Sequence, residues 1–362
     1  MKLAKWVLYI SFIGNTAFAD DIHIIGTINY PLKTPVTVSQ SFSAAPLKQI
    51  TLLKIKLSEP IKKVMAKRFY QIQSSDQSLI NSFDLPSQVQ LGMNNVPVLD
   101  QGRHGTCATF AATGAVNAAL NKGDYVSQLC LLQLGNFLEP TTYIPSGWQG
   151  SNSGTLLDEM SMFGVVSKLQ QTSKGCGGLK SYPVEDGRTP KTPLIPSTYH
   201  SMSTSIKKLI EWKAVIDGYS LNDLTDLNQL LLDVKTTLNT QARLSFGVIL
   251  VDLHVGTIGA VGKYHTGNDT WLLTPEIEKD AEDFFNGNNP NFEYAAHGMI
   301  ITGYDDNAIA IDNKGRPHKG LFTLRNSWGK TAGDQGNYYM SYRYFLALVT
   351  HAEGVRAIKS KS

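Results

Sequence analysis

The chain has 362 residues, of which 42% are hydrophobic and 17% charged. This composition excludes a mainly disordered or low-complexity chain and is enough for one large core or two modest ones. A formal net charge of +3 is too small to indicate a nucleic-acid-binding protein. The charge is unevenly distributed, because residues 20–75 contain eight basic and three acidic residues, whereas residues 76–362 contain 23 basic and 27 acidic ones.

The first 19 residues have the features of a secretory signal peptide. Lys2 and Lys5 precede a short apolar run over 6–13, and a small-residue cleavage pattern follows at 17–19. The alternative is a buried N-terminal helix, since the run is too short to span a bilayer, which requires about 20 residues. We expect a signal peptide over 1–19, secretion to the extracellular space or the periplasm, and no membrane attachment after its removal.

Residues 20–82 are predicted to form a small hairpin followed by a short basic helix. The apolar run 21–28 and the strictly alternating run 53–57 predict two strands separated by a turn-rich stretch. Pro60 in a first helical turn predicts the helix, and the polar, Ser/Gln-rich run 71–82 predicts a linker that contains a domain boundary.

From residue 84 onwards, predicted helices come first and predicted strands second. This order is typical of an α+β fold with segregated halves rather than a doubly wound sheet. The helices are expected over about 107–121, 127–134, 155–163 and 222–240, and the strands over 244–251, 299–304 and 321–325.

Cys107 lies in the predicted first turn of its helix. An isolated cysteine is usually a small buried apolar residue. Here the unpaired N–H groups and the dipole at a helix start favour an anion, which is expected to lower the thiol pKa. The small neighbours Gly105, Thr106 and Ala108 leave the sulfur approachable. A nucleophilic thiolate also needs a base, and the base needs a third group that orients it.

Three other residues are candidates to complete such a site. His297 directly precedes a predicted buried strand that would hold its ring. A buried histidine whose hydrogen bonds serve only the core is an equally common alternative. Asn326 follows another predicted strand, and its amide oxygen can orient an imidazole, while Trp328 shields that hydrogen bond from water. Taken by itself, Asn326 would be an ordinary asparagine in a turn. Gln101 stands six residues before Cys107, and its side-chain N–H can bind an oxyanion together with the backbone N–H of Cys107; read alone, it is a glutamine in a glycine turn.

Three segments carry a resemblance to a known family. Residues 98–110 (VLDQGRHGTCATF) resemble the active-site segment of papain-family, or papain-like, cysteine peptidases; 296–304 (AHGMIITGY) resemble the family's histidine strand, and 324–329 (LRNSWG) its asparagine segment. They occur in the family's order, and weaker similarity extends over roughly 84–345. The chain thus resembles a bacterial-type member with a signal peptide and an atypical prosegment.

The resemblance implies a papain-like two-lobed α+β fold, with a helical lobe over about 95–185, a β-rich lobe over about 186–355 and a cleft between them. These lobes would form a peptidase domain over 83–362, preceded by an inhibitory prosegment over 20–82 that is removed on activation. The same resemblance implies a monomeric zymogen that needs no cofactor or metal, takes a peptide or protein substrate, and has its own prosegment as an intramolecular inhibitor.

The resemblance also assigns roles to the four candidate residues. Cys107 would attack a peptide carbonyl to form a thioester, and His297 would protonate the leaving amine. Asn326 would orient the imidazole, and Gln101 would stabilise the oxyanion.

Further positions follow from the same resemblance. Gly154, in the glycine-containing stretch 147–154, is the predicted contact for the substrate backbone, and Trp328 is a second substrate-binding candidate. Cys130 stands where the family often has a disulfide cysteine, with Cys176 as its available partner, so a bridge is implied. Two buried free thiols are the alternative.

The chain also departs from the family pattern. Ala108 and Ala332 stand where tryptophan is usual, the cysteine upstream of the nucleophile is absent, and the interval from Cys107 to His297 is 190 residues, longer than the typical span of about 130 to 150 residues. Two alternatives therefore stay open: a catalytically silent papain-fold binding protein, and an acyltransferase that uses the same thioester chemistry on an amine.

The charge pattern suggests how the prosegment docks. Residues 48–68 contain seven basic residues and one acidic residue, whereas residues 276–293, just before His297, contain six acidic residues and one lysine. Charge runs are usually solvated faces. We nevertheless hypothesise that the basic strand and helix lie against this acidic loop and that autoinhibition is partly electrostatic.

Overall fold

The structure, a computed structural model, describes residues 22–33, 47–75, 84–142, 145–217, 226–251, 269–287, 294–312 and 314–359. The expected signal peptide, the predicted hairpin turn and Glu293 lie outside these ranges. The helices are α1 (Glu59–Ser74), α2 (Cys107–Leu120), α3 (Gln128–Thr142), α4 (Ser153–Phe163), α5 (Lys168–Lys174), α6 (Pro196–Met202), α7 (Leu227–Asn239), α8 (Pro275–Phe285) and α9 (Tyr342–Leu348). The strands are β1 (Ile22–Lys33), β2 (Leu47–Leu57), β3 (Gln88–Gln90), β4 (Ser146–Gly147), β5 (Gly150–Ser151), β6 (Val165–Val166), β7 (Ser203–Thr204), β8 (Ile210–Ile216), β9 (Arg243–Leu250), β10 (Thr270–Trp271), β11 (Tyr294–Ile311), β12 (Pro317–Arg325), β13 (Asn337–Ser341) and β14 (Val349–Ala357).

Most strands of the described residues belong to one ten-stranded sheet. Its main path has the order β10-β13-β12-β11-β9-β14-β8, and both β2 and β3 pair with β11 as well. The predicted α+β class is confirmed. β11 is 18 residues long and pairs with four other strands, so the segment that contains His297 is held on both sides.

The N-terminal hairpin forms as predicted but is not a separate unit. β1 pairs with β2 in an antiparallel register, and β2 pairs in turn with the first residues of β11, with Leu53 opposite Ala296. Leu53, Ile55 and Leu57 are buried while Lys56 is exposed, in agreement with the alternating pattern. The hairpin therefore extends the same sheet that carries His297.

Helix α2 packs between the sheet and the remaining helices of the region 107–174. It contacts β9 and β11 on one side and α3 and α4 on the other. Ala-rich sequence allows this close packing, and Asn121 in a left-handed conformation (φ 53°) ends the helix. Cys130 and Cys176 form a disulfide with a Cα–Cα distance of 5.1 Å, as the family resemblance implied.

Helix α1 docks through an apolar face on α9 and α8. Ile61, Met65, Phe69 and Ile72 form this face and are almost completely buried. Between them, the buried guanidinium of Arg68 donates a hydrogen bond of 2.7 Å to the carbonyl of Val349, directly after α9.

Several predicted boundaries need correction. Helix α1 continues through Ser74, into the predicted linker, and α3 continues to Thr142. The acidic run expected as a loop forms helix α8, because Thr274 caps its first turn, Pro275 occupies N1, and three apolar residues at helical spacing are buried. Strands β8 and β14 were not predicted. The boundaries of the prosegment and of the two lobes stay predictions.

The described helices include none that combines the length and hydrophobicity needed to cross a membrane.

Candidate active site

Cys107 is the first residue of α2 and lies against β11 at Gly298, the residue that follows His297. A Cβ atom at Gly298 would be 3.1 Å from the backbone nitrogen of Ala108 and 3.3 Å from the carbonyl carbon of Cys107. Only glycine leaves room for the strand to approach the helix start this closely. The absence of a side chain at 298 therefore brings the candidate nucleophile and the candidate base to one place.

His297 is oriented by Asn326. The Nε2 atom of His297 is 2.8 Å from Oδ1 of Asn326, which also accepts a 2.7 Å hydrogen bond from the backbone N–H of Ser327. Trp328 stacks on the imidazole with a centroid distance of 4.5 Å and an interplanar angle of 24°. Because Trp328 is fully buried, this hydrogen bond is shielded from water as expected.

The second ring nitrogen of His297 has no hydrogen-bond partner among the described residues. With Nε2 engaged by Asn326, Nδ1 is the atom that is free to exchange a proton with a neighbouring group. The side-chain hydrogen bond thus fixes which nitrogen can serve as a base.

Gln101 is held from two directions. Its Oε1 atom accepts a 2.8 Å hydrogen bond from the Ser327 hydroxyl, and its backbone N–H donates to the Ser327 carbonyl at 2.8 Å. The Nε2 group donates to the carbonyl of His104 at 2.9 Å and to the carbonyl of Thr51, in β2, at 3.0 Å. The amide that the sequence predicted as an oxyanion donor therefore already binds a carbonyl oxygen.

Strand β2 covers the site. A Cβ atom at Gly105 would be 3.3 Å from Cδ2 of Leu53, and one at Gly150 would be 2.8 Å from the same atom. Leu53 therefore lies between the turn before Cys107 and strand β5. Further along β2, the ammonium group of Lys48 contacts the carboxylate of Asp100 and donates a 2.7 Å hydrogen bond to the Trp328 carbonyl.

Burial of Cys107 and His297 determines the charge state of the site. Cys107 has no exposed surface and His297 is 1% exposed. Burial raises the pKa of Cys107 to about 11, although hydrogen bonds from the backbone of Gly298 and Ala108 oppose the shift. Burial lowers the pKa of His297 to about 4, which its hydrogen bond to Asn326 only partly offsets. At neutral pH the closed site holds a thiol and a neutral imidazole.

The expected low thiol pKa is thus not observed in the closed structure. The helix start and its N–H groups favour a thiolate at Cys107, as the sequence indicated. Desolvation by burial is larger and acts in the opposite direction. The sequence pattern did not show that this residue is completely buried.

The predicted substrate contacts have different surroundings. Gly154 lies in the first turn of α4, where a Cβ atom would be 3.4 Å from a carboxylate oxygen of Glu353. Gly150, in the same glycine-containing stretch, faces Leu53 and Ile24 of the hairpin instead. Trp328 touches the site through His297 and through its carbonyl rather than through an exposed ring.

A polar pocket of about 460 Å³ lies between the hairpin and the turn before Cys107. Thr51 and Asn29 line it on the hairpin side, and Arg103, Gln149 and Glu185 line it on the other. The described residues contain no group of three or more His, Cys, Asp or Glu side chains that can hold a metal ion.

The chain matches no protein-family model and no curated protein. Among solved structures it is similar to xylellain, a cysteine protease from Xylella fastidiosa, with a TM-score of 0.46 and 17% identity over 79% of this chain and 91% of that one. It is also similar to the proform of the ragweed pollen allergen Amb a 11, a cysteine protease, with a TM-score of 0.45 and 17% identity over 83% and 76% of the two chains. Digestive procathepsin L 3 of Tenebrio molitor larval midgut gives a TM-score of 0.45 and 18% identity over 83% and 79%.

Proposed function

We propose that this protein is an exported papain-like cysteine peptidase made as a latent precursor, in which the segment before residue 83 closes the active site. The observation that carries the proposal is the arrangement at the start of α2. There His297 is hydrogen-bonded to Asn326 and adjoins Gly298, which packs against Cys107, and the side-chain amide of Gln101 donates to the carbonyl oxygen of Thr51.

In the open enzyme the reaction would begin with proton transfer from the Cys107 thiol to Nδ1 of His297. The sulfur attacks the substrate carbonyl carbon, and the oxyanion accepts hydrogen bonds from Nε2 of Gln101 and the backbone N–H of Cys107. The imidazolium then gives its proton to the leaving amine as the C–N bond breaks, which leaves a thioester on Cys107. Water, deprotonated by His297, hydrolyses the thioester and restores the thiol.

Latency follows from the position of β2. The Thr51 carbonyl accepts the hydrogen bond of the Gln101 amide that would bind the oxyanion, and Leu53 packs between Gly105 and Gly150, where substrate would have to enter. Removal of β2 would return water to the site and lower the desolvation cost of the charged pair. We infer that the thiolate–imidazolium form becomes accessible only after this step.

The test is labelling of the full-length chain by an electrophilic peptide that reacts with active-site thiols, before and after incubation at acidic and neutral pH. Mass spectrometry of the incubated protein identifies the cleavage products and the site of processing. We expect a single label, on Cys107, which appears with processing and is abolished in Cys107→Ala. His297→Ala should abolish turnover, and Asn326→Ala should reduce it less, because it disturbs orientation rather than proton transfer.

A chain that binds peptides but neither labels nor cleaves them under any of these conditions would be a silent binding protein. A chain that labels but transfers the acyl group to an added amine in preference to water would be an acyltransferase. Near-normal turnover by His297→Ala would show that another group is the base.

A further inference from the structure

The ammonium group of Lys48 occupies a small cradle on the peptidase side of the cleft. It contacts the carboxylate of Asp100 and donates a hydrogen bond of 2.7 Å to the carbonyl of Trp328. The side chains of Lys48 and Asp100 are only 20% and 29% exposed. This pair is therefore a partly buried, charge-assisted contact rather than a surface ion pair.

The cradle is built by segments outside the hairpin. The segments 99–101 and 327–329 are joined by two backbone hydrogen bonds, from Gln101 to Ser327 at 2.8 Å and from Gly329 to Leu99 at 3.0 Å. The second oxygen of Asp100 accepts a 2.9 Å hydrogen bond from the backbone N–H of Gly102, which fixes the carboxylate. The acceptors would keep this arrangement without Lys48, because none of these bonds involves the hairpin.

Gly329 makes the space for the cation. Its φ angle is +74°, and a Cβ atom there would lie 2.7 Å from the Asp100 carboxylate and 3.0 Å from Nζ of Lys48. Any side chain at this position would fill the cradle. The carboxylate, the carbonyl and the glycine together leave a site for one compact cation.

The position of the cradle relates it to the reaction. Asp100 directly precedes the oxyanion donor Gln101, and Trp328 stacks on His297, which protonates the leaving amine in the proposed mechanism. In β2, Lys48 lies on the far side of Thr51 from the residues that pair with β11. The cradle therefore adjoins the half of the cleft that receives the leaving group.

We propose that, once β2 has left, this cradle binds a basic side chain of the substrate on the leaving-group side of the scissile bond, with Lys48 standing in for it in the closed protein. This inference rests on the proposed function and names its substrate class. Lysine fits better than arginine, because one carboxylate oxygen and one carbonyl match a compact ammonium rather than a planar guanidinium.

The first experiment measures kcat/KM on peptide pairs with the activated preparation obtained from the full-length chain. Each pair differs only by lysine or norleucine at one of the positions after the scissile bond. We expect about a tenfold preference for lysine at one position in the wild type, which falls to about twofold or less in Asp100→Asn. Asn keeps an acceptor for the Gly102 N–H but removes the charge, and Asp233→Asn, on α7, is the matched control that should retain the preference.

The second experiment uses the full-length chain without any turnover. Lys48→Ala empties the cradle, so n-butylammonium chloride should raise its melting temperature in a saturable way relative to equal concentrations of sodium chloride. The Lys48→Ala/Asp100→Asn double variant, which lacks the carboxylate, should show no such rise. The wild type, in which Lys48 fills the cradle, should show none either.

The outcomes separate the two proposals. An active enzyme that cleaves the lysine and norleucine peptides equally, or that keeps its preference in Asp100→Asn, overturns the cradle assignment and leaves the peptidase function standing. The lack of a specific butylammonium effect in Lys48→Ala also counts against the cradle. A chain without any peptidase activity overturns the proposed function. It also overturns the role of the cradle in substrate binding, even if butylammonium stabilises Lys48→Ala.

Discussion

Strand β2 and helix α1 both belong to the region before residue 76, but they attach to the rest of the molecule by different physics. β2 is held by directional contacts: backbone pairing with β11, the Thr51 carbonyl on Gln101 and the Lys48 ammonium in its cradle. α1 is held mainly by an apolar face on α9 and α8, together with side-chain hydrogen bonds from Arg68, Tyr70 and Gln73. The strand therefore contacts residues of the candidate site directly, whereas the helix mainly contributes buried surface to the fold.

The helix also includes an unfavourable contact that the strand lacks. Nε and Nη1 of the buried Arg68 have no partner among the described residues, and burial lowers the pKa of its guanidinium to about 10. A buried charge without a carboxylate opposes docking. The apolar neighbours of Arg68 must outweigh this cost for α1 to stay in place.

The largest expected effect is that of placing a charge in the strand. Leu53→Glu would bury a carboxylate between Gly105 and Gly150, at a cost of about 4 kcal/mol or more. We therefore expect alkylation of Cys107 by iodoacetamide to accelerate by about 10³-fold in the full-length chain. Mass spectrometry of the unreduced protein measures the rate. Leu53→Ala should give a smaller acceleration in the same direction.

The matched control is Ile25→Glu, on the outer strand of the same hairpin, where the native side chain is 54% exposed. It introduces the same charge without burying it and should leave the alkylation rate near that of the wild type. Equal rates in Leu53→Glu and the wild type would mean that β2 is not what shields the thiol.

The second prediction concerns the disulfide, which lies among the helices and away from both β2 and α1. Cys130 and Cys176 are 46 residues apart, and a loop of this length is worth about 4 kcal/mol in the chain-entropy model. The Cys130→Ala/Cys176→Ala variant should lose about this much free energy of unfolding in urea titrations. Cys107 should stay slow to alkylate below the unfolding transition; a large acceleration there would mean that the helical part and the hairpin open together.

Local sequence patterns predict the strand itself but not its partner in the sheet. The alternation of Leu53, Lys54 and Ile55 predicted the inner strand and its buried face, because a half-buried strand has a period of two residues. The pairing of that strand with Ala296 is a contact between segments about 240 residues apart in the chain. No local pattern encodes this pairing, so the strand of the inhibitory segment that lies over the site and the resulting pKa directions were not predicted.

The missed elements have specific causes. In helix α8, Ile277, Ala281 and Phe284 have helical spacing, but the charged residues between them give the sequence the character of a solvated acidic loop. Its ion pairs from Glu276 and Glu278 reach Lys314 and Arg316 at 3.4 and 3.3 Å. The proposed electrostatic contribution to prosegment docking stays a prediction.

The third prediction is a dependence of stability on pH through His297. Its pKa is about 4 in the folded protein, against an ordinary value of about 6.5, so between these pH values the unfolded chain binds a proton that the folded chain does not. The stabilisation is fully present above about pH 6.5 and is lost as the pH falls towards 4, by up to about 3 kcal/mol.

Urea unfolding at pH 7, 5.5 and 4.5 measures this slope. His297→Gln should reduce this slope without removing it, because burial also lowers the pKa of His351 to about 4. His23→Gln, at an exposed position of β1, should leave the slope unchanged. An unchanged slope in His297→Gln would assign the acid sensitivity to other groups.

At the alkaline end, stability should fall above about pH 9, where the unfolded chain loses a proton that the folded Cys107, with its pKa of about 11, retains.

The smallest effect is expected in the helix. Arg68→Met removes the buried charge together with one hydrogen bond to Val349, and such replacements are often neutral or stabilising. We expect the free energy of unfolding to stay the same or rise, by less than about 1 kcal/mol, with Cys107 still slow to alkylate. A loss of several kcal/mol would show that the guanidinium is well compensated where it lies.

The pairing of β2 with β11 has a consequence for inhibition after cleavage. While the chain is intact, the hairpin competes for the edge at Ala295 and Ala296 as a tethered ligand, at an effective concentration on the order of millimolar. A single cut after α1 makes it a free ligand, whose occupancy falls as the solution is diluted. The exposed edge then accepts any extended chain, so that substrate and released hairpin compete for the same backbone groups. In the proposed exported precursor, dilution would thus complete an activation that the cut only begins.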